Sequence, residues 1–490
     1  MMKLIGIIIV CLVMAQAFAY YSWQDLSLGP RVILQPWLMQ KGLMIYEDFA
    51  DIHSPLLPLL LSVLRQWFPD GVALAKNIMI VFLSITTVLV FLVGRRTSNP
   101  IGGLLAVLFF VALSPMFLFT KLWYESLIAP IYLAWILLYK PDSENQSLKV
   151  LLYCGLLGGI ALLIKQHAIM PFAGIIVWHA CSDFYQHRSV RKTIQEIGIM
   201  AGAAALPLAA FCLYYYLNAG TVKGLVYWTF LYALTGSYLK LASALPKINE
   251  IKYVLWGSIF LPFAFYAMIN VRHRKKPEWL TYGLGFVLLA TSSLFVLPRF
   301  TILHLQATLP LVAVLSSMTI MFMVALLRKK RLLFVLMILT LTSYWLISVC
   351  YTYGSSIGKK TPQFIYEYSD LIPLAKGVRS TIGDTDCVFI FPDDEAYSNL
   401  YYIMQCPPPY FWIFHYPWYL NSDRRHQIQK MLMEVPPKWI VHFPDHWGGE
   451  SYAPEIAYYI KTHYQHKATF PWRRGTVNVM ERISLVNSER

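Results

Sequence analysis

Eleven apolar runs take up most of the first 351 residues: 4–19, 72–93, 101–119, 125–139, 149–164, 168–182, 194–217, 252–271, 279–298, 308–327 and 332–351. A helix needs about 20 predominantly apolar residues to cross the ~30 Å hydrocarbon layer of a bilayer. Runs this close to that length, joined by short connections, predict a polytopic helical membrane protein rather than a soluble bundle. Composition agrees: the 490 residues are 57% hydrophobic and 14% charged, where soluble domains carry roughly 25% charged residues. Aromatic residues make up 15%, as expected where rings sit at both water–lipid interfaces.

A net charge of +15 raises the question of a nucleic-acid partner. The positions of the charges exclude it, because they fall in the connections. Arg95–Arg96, Lys140 with Lys149, Arg188–Arg191–Lys192, Arg272–Arg274–Lys275–Lys276 and Arg328–Lys329–Lys330–Arg331 occupy alternate connections and so one side of the membrane. By the positive-inside rule that side is the cytoplasm. An odd number of spans then puts residues 352–490 on the opposite, extracytoplasmic face. The first run can be a cleaved signal peptide ending at AQAFA or an uncleaved span; with so many spans following, the span is preferred. The compact tail suggests a bacterial plasma (inner) membrane.

Two domains are expected: a transmembrane domain over 1–351, whose first external loop (20–68) includes an interfacial helix at 55–67, and a small α/β domain over 352–490. In the tail, 386–391, 438–443 and 476–483 read as strands and 398–405, 426–434 and 453–464 as helices, an alternation typical of α/β architecture. Cys387 and Cys406 lie there and can pair if that domain is exported. The aromatic stretch FWIFHYPWYL (411–420) reads as a packed cap rather than a ligand platform. His442, Asp445 and His446 have metal-like spacing but read as an ordinary loop. Walker A, H-E-x-x-H and C-x-x-C motifs are absent, which argues against an ATP-driven pump or a zinc protease.

Residues 20–61 are the long polar-to-amphipathic segment of the first half, carrying Asp25, Glu47, Asp48, Asp51 and His53 beside membrane-like sequence. Carboxylates in such surroundings are costly and mark candidate functional sites. The pattern is an acidic residue after the first span, then G-x-x-x-Y-x-D-F through Gly42, Tyr46 and Asp48, then D-x-H-x-P-L through Asp51 and His53. It resembles the first external loop of GT-C glycosyltransferases such as the protein O-mannosyltransferases and aminoarabinose lipid A transferases. FADIHSPLLPLL is similar to the D-x-H-P-P-L segment of the O-mannosyltransferases, with Ser54 in place of the first proline.

The resemblance implies an enzyme that moves a hexosyl or pentosyl group, with inversion, from a polyprenyl-phosphate donor to an acceptor hydroxyl outside the cytoplasm. It implies Asp25 as the general base, although the family's usual acidic pair is Gln24–Asp25 here; Asp48 and Asp51 are the alternatives. Glu125, in FTKLWYESLIAP, corresponds to the acid of the second external loop and would hold Mg2+ or Mn2+ or act through hydrogen bonds. Lys165, in ALLIKQHAIMP, and Arg299 and His304, in LPRFTILHLQATLP, match the family's outer-face lysine and its P-R-x-x-x-x-H-x-x-x-x-x-P segment and would bind the donor phosphate. Each has a plainer explanation as a helix cap or an interfacial anchor. The acceptor, whether lipid, glycan or protein, is open. A lipid or sugar transporter or flippase, an O-antigen ligase or polymerase, and a structural scaffold are the rivals; the first would show paired repeats and broken helices, which are not evident.

Overall fold

The computed structural model describes residues 2–23, 28–114, 116–117, 119, 121–139, 146–232, 251, 254–255, 258–273, 278–296, 300–327, 343, 368–384, 386–393, 397–415, 420–444, 449–472 and 475–483. The expected span at 332–351, apart from residue 343, lies outside them. The chain forms two compact units. The first comprises Met1–Gln24, Lys76–Tyr214 and Ser243–Thr361; the second comprises Asp25–Ala75, Tyr215–Ala242 and Pro362–Arg490.

The first unit is helical. Its described helices are α1 (Met2–Trp23), most of α4 (Gly71–Thr97), α5 (Pro100–Leu113), α6 (Tyr124–Leu138), α7 (Leu148–Ile164), α8 (Ile169–Tyr185), most of α9 (Val190–Ala219), α10 (Leu261–His273), α11 (Glu278–Ser293) and α12 (Leu309–Leu327); α2 (Leu34–Gln40) and α3 (Leu56–Leu64) belong to the second. Among the described residues, Gly71–Thr97, Val190–Ala219, Trp279–Val296 and Ile302–Val324 are long and apolar enough to cross a membrane. Shorter apolar helices run over Gly6–Ala15, Pro100–Leu113, Tyr124–Leu138 and Leu148–Ile164. The protein is membrane-embedded and mostly helical.

Local sequence sets the helix ends. Asn99 starts α5 by accepting from the amides of Ile101 (2.9 Å) and Gly102 (3.0 Å), with Pro100 next in line, where its missing N–H costs nothing. Ser147 caps α7 through the Val150 amide (3.3 Å). At the other end of α6, Arg96 donates to the carbonyls of Ile136 (2.8 Å), Leu137 (2.6 Å) and Tyr139 (3.3 Å). A guanidinium there meets orphan carbonyls and the negative end of the helix dipole. Hydroxyls inside helices turn back on their own backbone, as Thr86, Thr87 and Ser292 do, which satisfies them where no water is available.

Helices α7 and α9 touch backbone to backbone. A Cβ on Gly155 would run into the carbonyl oxygen of Met200, and one on Gly159 into that of Ala204. Small residues four apart allow such approach in lipid, where packing rather than water exclusion holds helices together. Trp135 adds a hydrogen bond from α6 to the Cys154 carbonyl of α7 (3.0 Å).

The second unit is α/β, built from three separate stretches of chain. Its sheet has the order β1 (Val388–Phe391), β2 (Trp439–His442), β4 (Gly475–Arg482), β3 (Tyr464–Trp472). β1 and β2 are parallel; β4 is antiparallel to both β2 and β3. The β1 and β2 residues are all buried, as strands covered on both faces require; in β2 this includes His442. The expected strands and the helices at Asn399–Ile403, Ser422–Glu434 and Pro454–His463 are present. Strand β3 and the helix Tyr368–Ile382 were not anticipated. β3 is an edge strand with mostly exposed or half-buried residues and Pro471 near its end, so it lacks the apolar signature. Cys387 and Cys406 form a disulfide with their Cα atoms 5.5 Å apart.

The 28–68 loop packs within this unit. Asn399 donates to the Leu28 carbonyl (2.6 Å), the Ala50 amide to Phe411 (3.0 Å), and Arg65 to Ile33 (3.1 Å) while lying 5.0 Å from the Tyr402 ring centre. Arg424 bonds the Tyr232 hydroxyl (3.1 Å) and lies against Trp228, Tyr232 and Trp412. A helix was expected over 55–67, and α3 (Leu56–Leu64) lies within it.

The α7–α9 contact predicts that Gly159→Leu lowers stability by about 3 kcal/mol, the upper end for overpacking, because the obstructing atom is backbone. Gly202→Leu, at a position with open space around it, should change stability little. Thermal unfolding of the two detergent-solubilised variants against the parent measures the difference.

Candidate functional site

Three side chains from distant parts of the sequence meet in the first unit. Glu125 lies in the first turn of α6, where the helix dipole favours a carboxylate. Lys165 ends α7 in extended conformation (φ −154°), which carries its side chain out of the helix before the 3-10 turn Gln166–Ala168. His304 sits in the 3-10 segment Ile302–Thr308, whose start is set by the Thr301 hydroxyl accepting from the Leu303 amide (3.1 Å).

Lys165 Nζ donates to Glu125 Oε1. His304 Nδ1 is 2.6 Å from the same oxygen and 3.3 Å from Lys165 Nζ. Glu125 and Lys165 are buried and His304 is partly exposed. The Lys165 ammonium also lies 5.7 Å from the centre of the Phe295 ring, which His167 meets edge to face. Glu125 Oε2 is buried and has no hydrogen-bond partner among the described residues. An acceptor left in that state costs about 1–3 kcal/mol unless a ligand meets it.

The trio is poorly suited to Mg2+ or Mn2+, which take mostly oxygen ligands. It offers one carboxylate, and the Lys165 ammonium already holds that carboxylate's inner oxygen. The arrangement suits a different task. A buried ammonium held by a carboxylate can exchange that partner for an incoming anion.

In the second unit Asp51 is fully buried. Arg31 Nε donates to its Oδ2 (2.8 Å) and Oδ1 (3.1 Å); Gln35 donates to Oδ2. The amides of Ile52 (2.6 Å) and His53 (3.0 Å) and the His53 ring (3.0 Å) meet Oδ1. Burial by itself would raise the carboxyl's pKa. The Arg31 guanidinium, the His53 ring and the Gln35 amide outweigh it and hold the group well below the usual carboxylate range. Tyr46, buried and at positive φ (73°), donates its hydroxyl to the His53 carbonyl. Asp48 is exposed and accepts from the Met44 amide (2.6 Å). Asp25 and Arg299 lie outside the described residues, as do Asp445 and His446. Arg31 and Gln35 escaped the sequence reading, since a lone Arg and a lone Gln in a loop carry no periodic signal.

This helical unit with a small mixed-sheet unit is a fold the chain shares with solved proteins to which it is similar at low sequence identity. ArnT from Cupriavidus metallidurans bound to undecaprenyl phosphate is similar over 98% of each chain, at a TM-score of 0.60 and 11% identity. The apo state of the same ArnT is similar over 97% of each chain, at 0.59 and 12%. The Archaeoglobus fulgidus oligosaccharyltransferase, tethered to an acceptor peptide containing the NVT sequon, matches over 97% of this chain and 74% of its own, at 0.53 and 11%. No protein-family model and no curated protein sequence matches the chain.

The Asp51 contacts predict the acid behaviour of the loop. A carboxyl with a lowered folded-state pKa adds stability that is complete above its unfolded value, about 3.9, and lost as pH falls through the folded value. Asp51→Asn removes the charge that faces buried Arg31, so it should cost about 3–5 kcal/mol near neutral pH and flatten the acid limb of stability. Unfolding temperatures of both proteins measured from neutral pH down to about pH 3 check it. A variant as stable as the parent would rule out the ion pair.

Proposed function

We propose that this protein transfers a sugar from a polyprenyl-phosphate donor to an acceptor hydroxyl on the extracytoplasmic side of a plasma membrane. The observation that carries the proposal is the meeting of Glu125, Lys165 and His304, brought together from positions up to 179 residues apart. The fold shared with an ArnT bound to undecaprenyl phosphate supports a lipid-phosphate ligand.

In this reading the acceptor oxygen attacks the anomeric carbon opposite the phosphate, inverting its configuration. The bond from that carbon to the phosphate oxygen breaks, and the lipid phosphate leaves with the electron pair. Asp25 takes the acceptor's proton as general base. Asp51 suits that role poorly, since a carboxylate held by Arg31 has little affinity for a proton. Asp48, exposed and bonded to Met44, is the remaining alternative. Lys165 turns from Glu125 to the departing phosphate and stabilises its growing charge, assisted by His304 and Arg299; fixed charges of this kind act most strongly where water is scarce. Glu125 holds Lys165 in place before the donor arrives, and its Oε2 accepts a hydrogen bond from a donor hydroxyl. No step requires a metal.

Purified protein given a radiolabelled polyprenyl-phosphate sugar should release free polyprenyl phosphate as label moves to acceptor. Label that crosses the membrane with the donor intact would identify a flippase instead. Asp25→Asn should lower kcat by about 10²–10⁴-fold without loss of folded protein. Lys165→Ala should raise the donor KM; unchanged KM and kcat would take Lys165 out of the site.

A further inference from the structure

We propose that His179, Asp183 and Glu196 form a site for one divalent transition-metal ion, best matched by Zn2+, at the end of the α8–α9 hairpin remote from Glu125. His179 is ten residues into α8, about 15 Å along the axis from the helix start that follows Lys165. The two clusters are therefore separate.

The local sequence builds the site. His179 and Asp183 are one helical turn apart and share a face of α8. The chain reverses through residues 186–189, with His187 at φ +56°, and returns as α9, which brings Glu196 alongside. All three residues are buried. One ligand atom from each, His179 Nε2, Asp183 Oδ2 and Glu196 Oε2, falls within a 4.8 Å cluster. The imidazole nitrogen is 2.9 Å from the glutamate oxygen and 3.6 Å from the aspartate oxygen. A tetrahedral ion with ligand bonds of about 2.0–2.2 Å places its ligands roughly 3.3–3.6 Å apart, so small movements suffice.

Two observations point to an ion rather than to a simple ion pair. His179 Nε2 and Glu196 Oε2 are buried and face each other at 2.9 Å, yet neither has a hydrogen-bond partner among the described residues. A protonated imidazole between two carboxylates would form such a bond. The other imidazole nitrogen, Nδ1, is 2.8 Å from the Tyr139 hydroxyl. That contact orients the ring and leaves Nε2 as the coordinating atom, as outer partners of metal-bound histidines commonly do.

The carboxylates are also held. Arg188 donates to Asp183 Oδ1 (2.7 Å) and Thr193 to Oδ2 (2.7 Å). Lys192 approaches Glu196 Oε1 at 3.9 Å. One nitrogen and two carboxylate ligands suit Zn2+, with a fourth position for water; Mg2+ prefers an all-oxygen octahedron. Two carboxylates balance the ion's charge. Bound there, the ion clasps α8 to α9, and Tyr139 ties the clasp to the end of α6.

The test uses the full-length protein in detergent, stripped of metal and titrated with Zn2+ and with Co2+ as a spectroscopic probe. A Glu125→Gln/His304→Asn background removes the second histidine–carboxylate pair described in the first unit. One equivalent of ion should bind in that background, with the visible absorption of low-coordinate Co2+, and a chelator should lower the parent's Tm. His179→Ala should abolish binding and the chelator effect. If that variant does not fold, Tyr139→Phe keeps the shape and should weaken binding about 10–100-fold. Folded parent protein that takes up no ion, or binding untouched by Tyr139→Phe and His179→Ala, overturns the site. So does a Tm that depends on pH and not on chelator, which would mark a protonated His179 ion pair.

Discussion

A charge taken out of water has to be met where it stands. Desolvating an ammonium or carboxylate costs several kcal/mol per ion, and only a close partner of opposite sign recovers it. In a chain that is 14% charged and membrane-embedded, this rule decides which residues can meet. In the first unit it brings Lys165 to Glu125 and Arg188 to Asp183. In the second it brings Arg31 to Asp51 across twenty residues of loop. Each pair fixes backbone segments that apolar packing alone would leave free to slide.

The pairs are not equivalent. Asp51 receives hydrogen bonds from Arg31, Gln35, His53 and two backbone amides, so both of its oxygens are committed. Removing any donor leaves the others in place, which is the behaviour of a structural anchor. Glu125 has one oxygen engaged by Lys165 and His304 and the other without a hydrogen-bond partner among the described residues. A buried group left incompletely satisfied is a standing cost, and such costs persist where a ligand relieves them. Lysine suits exchange as well: its ammonium is a compact charge on a flexible stem, whereas an arginine fork favours one fixed geometry.

Much of this was legible before any coordinates. Each apolar run between 72 and 327 contains a helix among the described residues, though 101–119 is helical only to Leu113 and the helix described in 252–271 starts at Leu261, because length and composition favour helix in lipid. β1 and β2 were readable as short, largely apolar runs, and β3 was not, because an exposed edge strand has no apolar face to advertise. Glu125, Lys165 and His304 stood out as polar residues in apolar or interfacial sequence, and the structure brings them together. Arg31 and Gln35 did not stand out, since the meaning of a loop residue lies in its partner. His179 and Asp183 were passed over for another reason. They sit inside the run expected to span at 168–182 or just past it, beside Arg188, Arg191 and Lys192, and the basic cluster read as a topology signal.

That signal turns out to have a second use. Arg96, counted first as a cytoplasmic marker, caps the last carbonyls of α6, and Arg188 holds Asp183. The basic residues flanking these spans also close helix ends that would otherwise present unmet carbonyls or carboxylates. For α6 both ends are treated alike, with a carboxylate in the first turn and a guanidinium on the last carbonyls, each complementing the helix dipole. The two charges act at opposite ends of one rigid element. Helix α6 thus carries Glu125 at one end while Arg96 and Tyr139 secure the other, so the position of Glu125 depends on contacts a full helix length away.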